Sequence, residues 1–297
     1  MKFKLTKDKK ILNRIKELRL YRNIFLVTEL LIIVNIYVCC FNLTKTYQQV
    51  ICLLLHCVLS LVVSFMYNNF VLSKNRESIL KELNPELFLN INIWESNLMI
   101  KTKYKYDSVL INIASAYTYD GKFEEAEKVL DYLEKANLKK RLKILYLLRK
   151  VEWLFFQKRY KEVKELKDDI LCELEELPNE YKMSVLSNLD MYMSMIDKDK
   201  KKLKLICEGL EKTGVNINKV YSIYIKSLFF EEKDNKYQKM LAFEGGNLFF
   251  AREELEDQNI TTKNNIKPEK HKGYKKFSII ILITVIIVLI IGINRLI

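Results

Sequence analysis

Residues 107–140 read DSVLINIASAYTYDGKFEEAEKVLDYLEKANLKK, and this stretch decides the predicted fold. Apolar and small residues recur at steps of three and four on both sides of Gly121, which predicts two amphipathic helices joined by a tight turn. Gly121 suits the turn because glycine adopts a positive φ at little cost. Two short amphipathic helices cannot bury their apolar faces alone, so the pattern predicts a stack of similar pairs.

The stretch resembles a tetratricopeptide repeat. Its large–small pair, first aromatic, turn glycine, second aromatic and small second-helix residue correspond to Ile113-Ala114, Tyr117, Gly121, Phe123 and Ala126. Two positions depart from the family, since Leu110 replaces the usual tryptophan and Leu138 the usual closing proline. The resemblance implies an all-α solenoid of helical hairpins, whose first helices line a concave groove that binds a peptide.

Weaker copies of the pattern follow at 144–177, 183–213 and 220–245, at spacings of roughly 37 to 40 residues that exceed the family's period. They are interpreted as degenerate repeats. A helix at 86–99 is expected to pack against the first repeat, and one at 246–256 to cap the last.

Apolar runs at 24–41 and 50–66 are long enough to cross a bilayer and predict a transmembrane hairpin. A third run at 277–293 predicts a C-terminal span. The predicted organisation is a basic amphipathic N-terminal segment (1–22), a transmembrane hairpin (23–71), a helical linker (72–106), the repeat domain (107–256), a basic tether (257–276) and a C-terminal transmembrane helix (277–297). The N-terminal segment is equally well interpreted as a solvated lead-in. This layout resembles repeat-containing membrane proteins of low-GC Gram-positive bacteria.

The net charge of +13 is not spread evenly along the chain. Residues 107–259 carry 27 Lys and Arg against 29 Asp and Glu, a net of −2, which leaves 50 − 27 = 23 basic and 37 − 29 = 8 acidic residues elsewhere. The excess positive charge therefore flanks the apolar runs, which indicates membrane orientation rather than a nucleic-acid surface. It predicts a multi-pass protein of the cell membrane with its repeat domain in the cytoplasm.

Three polar residues fall within the predicted hairpin: Glu29, Asn35 and His56. Ionisable groups inside a membrane are costly and often functional. The favoured interpretation is structural: Asn35 and His56 hydrogen-bond to hold the hairpin, and Glu29 reaches toward the interface.

The sequence offers little for catalysis. Its two histidines, His56 and His271, lie outside the predicted repeat domain, which leaves that domain without His-dependent triads or His-ligated metal sites. No phosphate-binding glycine motif occurs. The sequence therefore predicts a protein that is not an enzyme and has no metal or cofactor.

The predicted function is a membrane-tethered scaffold that binds a protein or peptide at the cytoplasmic face. The resemblance places the partner-binding groove at Ile111, Ser115, Thr118, Leu148, Glu152, Phe155, Tyr224 and Leu228. The alternative, that Leu148, Phe155 and Tyr224 are core residues between repeats, stays open. A different class of function also stays open: a small accessory subunit of a transporter or exporter that acts through its spans. The partner's identity and the oligomeric state are left undetermined.

Overall fold

The computed structural model describes residues 3–42, 46–98, 102–175, 177–230 and 235–257. These residues form twelve α-helices and no strand, which confirms the predicted all-α class. The helices are α1 (Lys9–Asn42), α2 (Thr46–Leu80), α3 (Pro85–Leu98), α4 (Lys103–Tyr119), α5 (Phe123–Glu134), α6 (Lys140–Phe156), α7 (Tyr160–Leu174), α8 (Asn179–Ile196), α9 (Lys200–Lys212), α10 (Asn216–Phe229), α11 (Lys236–Glu244) and α12 (Phe249–Asp257). The predicted tether and C-terminal span lie outside the described residues.

The described chain divides into two compact units. Residues 7–74 form the two-helix unit, which contains α1 and most of α2. Residues 3–6 and 75–257 form the ten-helix unit, which contains the end of α2 together with α3 to α12.

In the two-helix unit, α1 and α2 lie side by side and run in opposite directions. Tyr21 packs on Phe70 with ring centroids 4.6 Å apart, and one turn later Phe25 stacks on Tyr67 at 4.5 Å. Two helical segments are long and apolar enough to cross a membrane, Lys9–Val38 and Thr46–Leu80. The second segment includes the predicted run at 50–66, and the first includes most of the predicted run at 24–41.

The N-terminal segment differs from the prediction, which separated a basic stretch (1–22) from the first span. The structure has one uninterrupted helix from Lys9 to Asn42, because no proline or glycine breaks this sequence. Residues 3–6 belong to the ten-helix unit, where the Thr6 N–H donates to Asn90 Oδ1 at 2.7 Å. The Thr6 hydroxyl donates to Glu86 Oε1 at 2.8 Å.

In the ten-helix unit, α4 to α11 form four consecutive helical pairs, with α3 before them and α12 after them. Each predicted helical pair coincides with an observed one. The small residues singled out in the first pair lie in its interior, since Ala114 is 1% exposed and Ala126 is fully buried.

The first three pairs share one backbone turn. Gly121, Lys158 and Lys198 stand two residues after the end of their first helix, and all have positive φ, at 76°, 58° and 55°. In each turn the following N–H donates to a carbonyl five residues earlier, the pattern of a Schellman motif. The positive φ predicted for Gly121 is confirmed, and the chain adopts it twice more with lysine.

These turns give a first testable expectation. Lysine at a positive φ is strained by its Cβ, so Lys158→Gly should raise the free energy of unfolding by about 0.5 kcal/mol. Gly121→Ala should lower it by about 2 kcal/mol, because an added Cβ would also come within 2.9 Å of Phe249 Cβ. Chemical denaturation followed by far-UV circular dichroism measures both changes. If Lys158→Gly raised the free energy of unfolding by as much as Gly121→Ala lowered it, the contact with Phe249 would not add to the effect at Gly121.

Candidate functional site

The predicted groove residues are mostly in the protein interior. Five are buried: Ile111, Ser115, Thr118, Glu152 and Phe155. Leu148 and Tyr224 are partly buried, and Leu228 is 50% exposed. A partner therefore cannot reach most of this set in the observed structure, and the binding role stays a prediction only for the last three.

Glu152 is the centre of a buried polar cluster. Its Oε1 accepts hydrogen bonds from the hydroxyls of Tyr119 at 2.7 Å, Tyr221 at 2.8 Å and Tyr192 at 2.9 Å. Its Oε2 accepts a bond from Arg149 Nη1 at 2.9 Å. The five residues, here called the Glu152 cluster, come from α4, α6, α8 and α10, the first helix of every pair. The cluster therefore joins all four pairs through one carboxylate.

Burial and charge act together in the Glu152 cluster. Burial raises the pKa of the Tyr119, Tyr192 and Tyr221 hydroxyls, and the negative charge of Glu152 raises each pKa further. The three tyrosines therefore stay protonated and remain hydrogen-bond donors. For Arg149, burial has the largest single effect and lowers the pKa, but the charge and hydrogen bond of Glu152 together with the neighbouring Tyr119 and Tyr192 outweigh it, and the net direction is upward. Arg149 and Glu152 form an ion pair, and the three tyrosine hydroxyls donate to the same carboxylate.

Glu152 was predicted to line the partner-binding groove, but its side chain is buried, at 2% exposure. A carboxylate is rarely buried without partners, and here it has four. Arg149 could have been found from the sequence, because residues three apart share a helical face. The tyrosines could not, since Tyr192 and Tyr221 lie 40 and 69 residues away along the chain.

A second surface on the ten-helix unit binds helix α12. Phe249 packs edge-on against Phe123 and Phe156, at centroid distances of 5.1 and 4.9 Å. Phe250 stacks on Phe156 at 5.7 Å and contacts Tyr224 at 4.6 Å. Both α12 phenylalanines are at least 92% buried, at 8% and 3% exposure. The residues that receive them lie on α5, α6 and α10, so three pairs contribute to the surface.

An ion pair also holds α12, about one turn after Phe249. Arg252 donates from Nη1 to Asp120 Oδ1 at 2.9 Å and from Nη2 to the Asp120 carbonyl at 2.6 Å. Lys122 also approaches the Asp120 carboxylate, at 2.6 Å. The hydrogen bond to Asp120 raises the pKa of Lys122. The ring of Tyr221 also lies 5.9 Å from that of Phe250. We call Asp120, Phe123, Phe156, Tyr221 and Tyr224 the α12-binding surface. The sequence predicts a capping helix at 246–256 but does not indicate this surface.

Two hydrogen bonds between polar side chains connect α1 and α2 in the two-helix unit. The Glu29 carboxylate accepts bonds from the Ser60 hydroxyl at 2.5 Å and the Ser64 hydroxyl at 3.4 Å. Glu29 thus joins α1 to α2. His56 Nδ1 lies 2.8 Å from the Cys52 carbonyl of its own helix. A bond between Asn35 and His56 stays a prediction.

The candidate site is therefore an aromatic surface with one buried carboxylate, already holding a helix of the same chain. Within the described ranges no group of three or more His, Cys, Asp or Glu side chains is arranged to hold a metal ion. Comparison of the chain with protein-family models, curated proteins and solved structures finds no match.

Proposed function

We propose that the protein is a membrane-tethered helical-repeat scaffold that binds a protein or peptide partner at the cytoplasmic face. One observation carries the proposal: the α12-binding surface holds a helix through aromatic contacts and an ion pair. A surface that binds a helix of its own chain has the shape and chemistry to bind a similar helix from another. Helix-in-groove recognition relies on apolar anchors of this kind.

We further propose that the four pairs are degenerate tetratricopeptide-like repeats. The buried Ala114 and Ala126 support this assignment, because helices that approach closely need small residues. The repeated positive-φ turns support it as well, since they recur at 121, 158 and 198, at intervals of 37 and 40 residues.

The membrane attachment is proposed from the surface of the two-helix unit. Large apolar side chains are exposed along both helices, among them Leu30, Ile33, Leu54, Leu61 and Phe65. The core helix of a soluble protein would bury such residues, whereas a bilayer accepts them. The lysine and arginine bias of the sequence favours a cytoplasmic N-terminus and ten-helix unit, and the apolar run at 277–293 favours a C-terminal third span.

Cys172 tests this topology, because it is an exposed native thiol on α7. A membrane-impermeant maleimide applied to intact cells should leave Cys172 unlabelled until the membrane is permeabilised, and Cys172→Ser should remove that signal. Lys45→Cys, between the two predicted spans and therefore expected on the outside, is the positive control and should react in intact cells. Strong labelling of Cys172 without permeabilisation would overturn the orientation.

Leu228 tests the binding surface. It lies one turn after Tyr224 on α10, is 50% exposed, and adjoins the residue that Phe250 contacts. A photo-reactive amino acid at Leu228 should cross-link a discrete partner in native membranes. Leu205 on α9, which is 68% exposed, is the matched control and should not.

Equal cross-linking from Leu228 and Leu205 would mean that the partner does not bind selectively at the α12-binding surface. Cross-links that arise only from positions in the two-helix unit would favour the accessory-subunit function, with the spans as the active part.

A further inference from the structure

Helix α12 binds parts of the ten-helix unit that lie far from it in sequence. In a simple stack of repeats each pair contacts only its neighbours. Phe249 instead contacts Phe123 in the first pair, and Arg252 bonds to a residue 132 positions earlier. α12 therefore occupies a surface made by separate pairs, as a bound helical peptide would.

We propose that the partner of this surface is a short helical segment with two consecutive aromatic residues and an arginine three positions after the first. α12 is the intramolecular stand-in for that segment, and the partner takes its place. This inference rests on the proposed function, because it names the chemistry of the partner for the same surface.

The aromatic pair is required by the shape and composition of the surface. Phe249 fits between two aromatic rings and against Gly121, where an added Cβ would come within 2.9 Å of Phe249 Cβ. The next residue, Phe250, reaches the rings of Phe156 and Tyr224. Aromatic pairs at these distances contribute beyond the area that they bury.

Arginine is required by the acceptor that it meets. The Asp120 side chain is 7% exposed, and its carboxylate and main-chain carbonyl accept from two different nitrogens of Arg252. The planar guanidinium can make both bonds at once, whereas a lysine ammonium cannot reproduce this geometry. Phe249 and Arg252 are three residues apart, so one helical face presents both.

The length and attachment of α12 make replacement physically reasonable. The helix has nine residues, too few for a stable helix away from the surface. The Gly245-Gly246 pair precedes it, and Gly246 has a φ of 61° that glycine adopts cheaply. The link to the rest of the chain gives α12 a high effective concentration at the surface, so a free partner competes at a disadvantage.

The test uses the full-length protein in detergent and a fluorescent peptide with the sequence of residues 246–257, GNLFFAREELED. Arg252→Glu in the protein should weaken docking of its own α12 by placing a second carboxylate beside Asp120. The surface itself keeps all of its residues. The peptide should therefore bind the Arg252→Glu protein at least tenfold more tightly than the wild-type protein.

Two controls isolate the chemistry. Glu253→Lys changes the charge of α12 at an exposed neighbouring position and should leave peptide binding at the wild-type level. A peptide that carries glutamate in place of its arginine should not bind the Arg252→Glu protein. Equal binding of the natural peptide to all three proteins, or no binding to any, would overturn the proposal.

Hydrogen exchange on the wild-type protein decides the matter if Arg252→Glu does not fold. Amides of α12 should then exchange faster than those of α6, because α12 leaves the surface while the rest stays folded. Exchange of α12 as slow as that of α6 would show a permanent part of the fold and would overturn the proposal.

The same peptide separates this inference from the proposed function. Excess peptide that abolishes the Leu228 cross-link supports both. A Leu228 cross-link that persists with saturating peptide leaves the scaffold function standing but overturns the partner chemistry named here.

Discussion

A Glu152→Ala variant should lose about 3 kcal/mol or more of its unfolding free energy, one of the two largest effects that we expect from a single substitution. The change leaves the Arg149 guanidinium without its carboxylate and three tyrosine hydroxyls without their shared acceptor. Arg149 is about one-third exposed, so water compensates part of its loss. The hydroxyls of Tyr192 and Tyr221 lie 3.4 Å apart and can bond to each other, which offsets only part of the loss of their shared acceptor. Since a domain is typically stable by about 5–15 kcal/mol, much of the total is lost.

Glu152→Gln separates charge from hydrogen bonding. Glutamine keeps the size of the side chain and one carbonyl acceptor, so we expect about half the loss seen with alanine. Urea denaturation of the purified protein, followed by circular dichroism at fixed detergent concentration, gives the three free energies. A Glu152→Ala curve superimposable on wild type would show that the cluster does not hold the pairs together.

Ala126→Lys should also destabilise the ten-helix unit, by roughly 3 kcal/mol or more. Ala126 has no exposed surface, and it lies in the first turn of α5 where the helices of the first pair meet. A lysine there must either displace the neighbouring helix or bury an ammonium without a partner. Both consequences act in the same direction.

Glu127→Lys is the matched control, because it introduces the same side chain one residue later at an exposed position. Its unfolding free energy should change by less than about 0.5 kcal/mol. Comparable losses from the two lysines would mean that general charge effects, and not packing at Ala126, cause the destabilisation.

Sequence alone predicted the features that depend on local pattern. Gly121 indicated the turn, and the spacing of apolar residues on both sides indicated the first pair, including the buried Ala126. The same periodicity located the three later pairs. These features are predictable because helix periodicity and turn chemistry act between residues close in sequence.

The candidate site was not predictable in the same way. Glu152 was assigned to the partner-binding groove, although it is buried with Tyr192 and Tyr221 from other pairs. A single sequence does not show which residues distant along the chain meet in the fold. The sequence around Asp120 indicates only a turn residue, because Arg252, which binds it, lies 132 residues later. The α12-binding surface depends on how the pairs stack, which local periodicity does not determine.

The contact between Arg252 and Asp120 also has a consequence for synthesis of the protein on the ribosome. Translation must add 132 residues after Asp120 before its partner exists. At about 5–20 residues per second, the first pair stays without its contact to α12 for on the order of ten seconds. During that interval the rings of Phe123 and Phe156 lack the cover that α12 provides in the finished fold. The nascent chain therefore presents a transient aromatic patch, the kind of surface that chaperones bind and that neighbouring nascent chains can aggregate on.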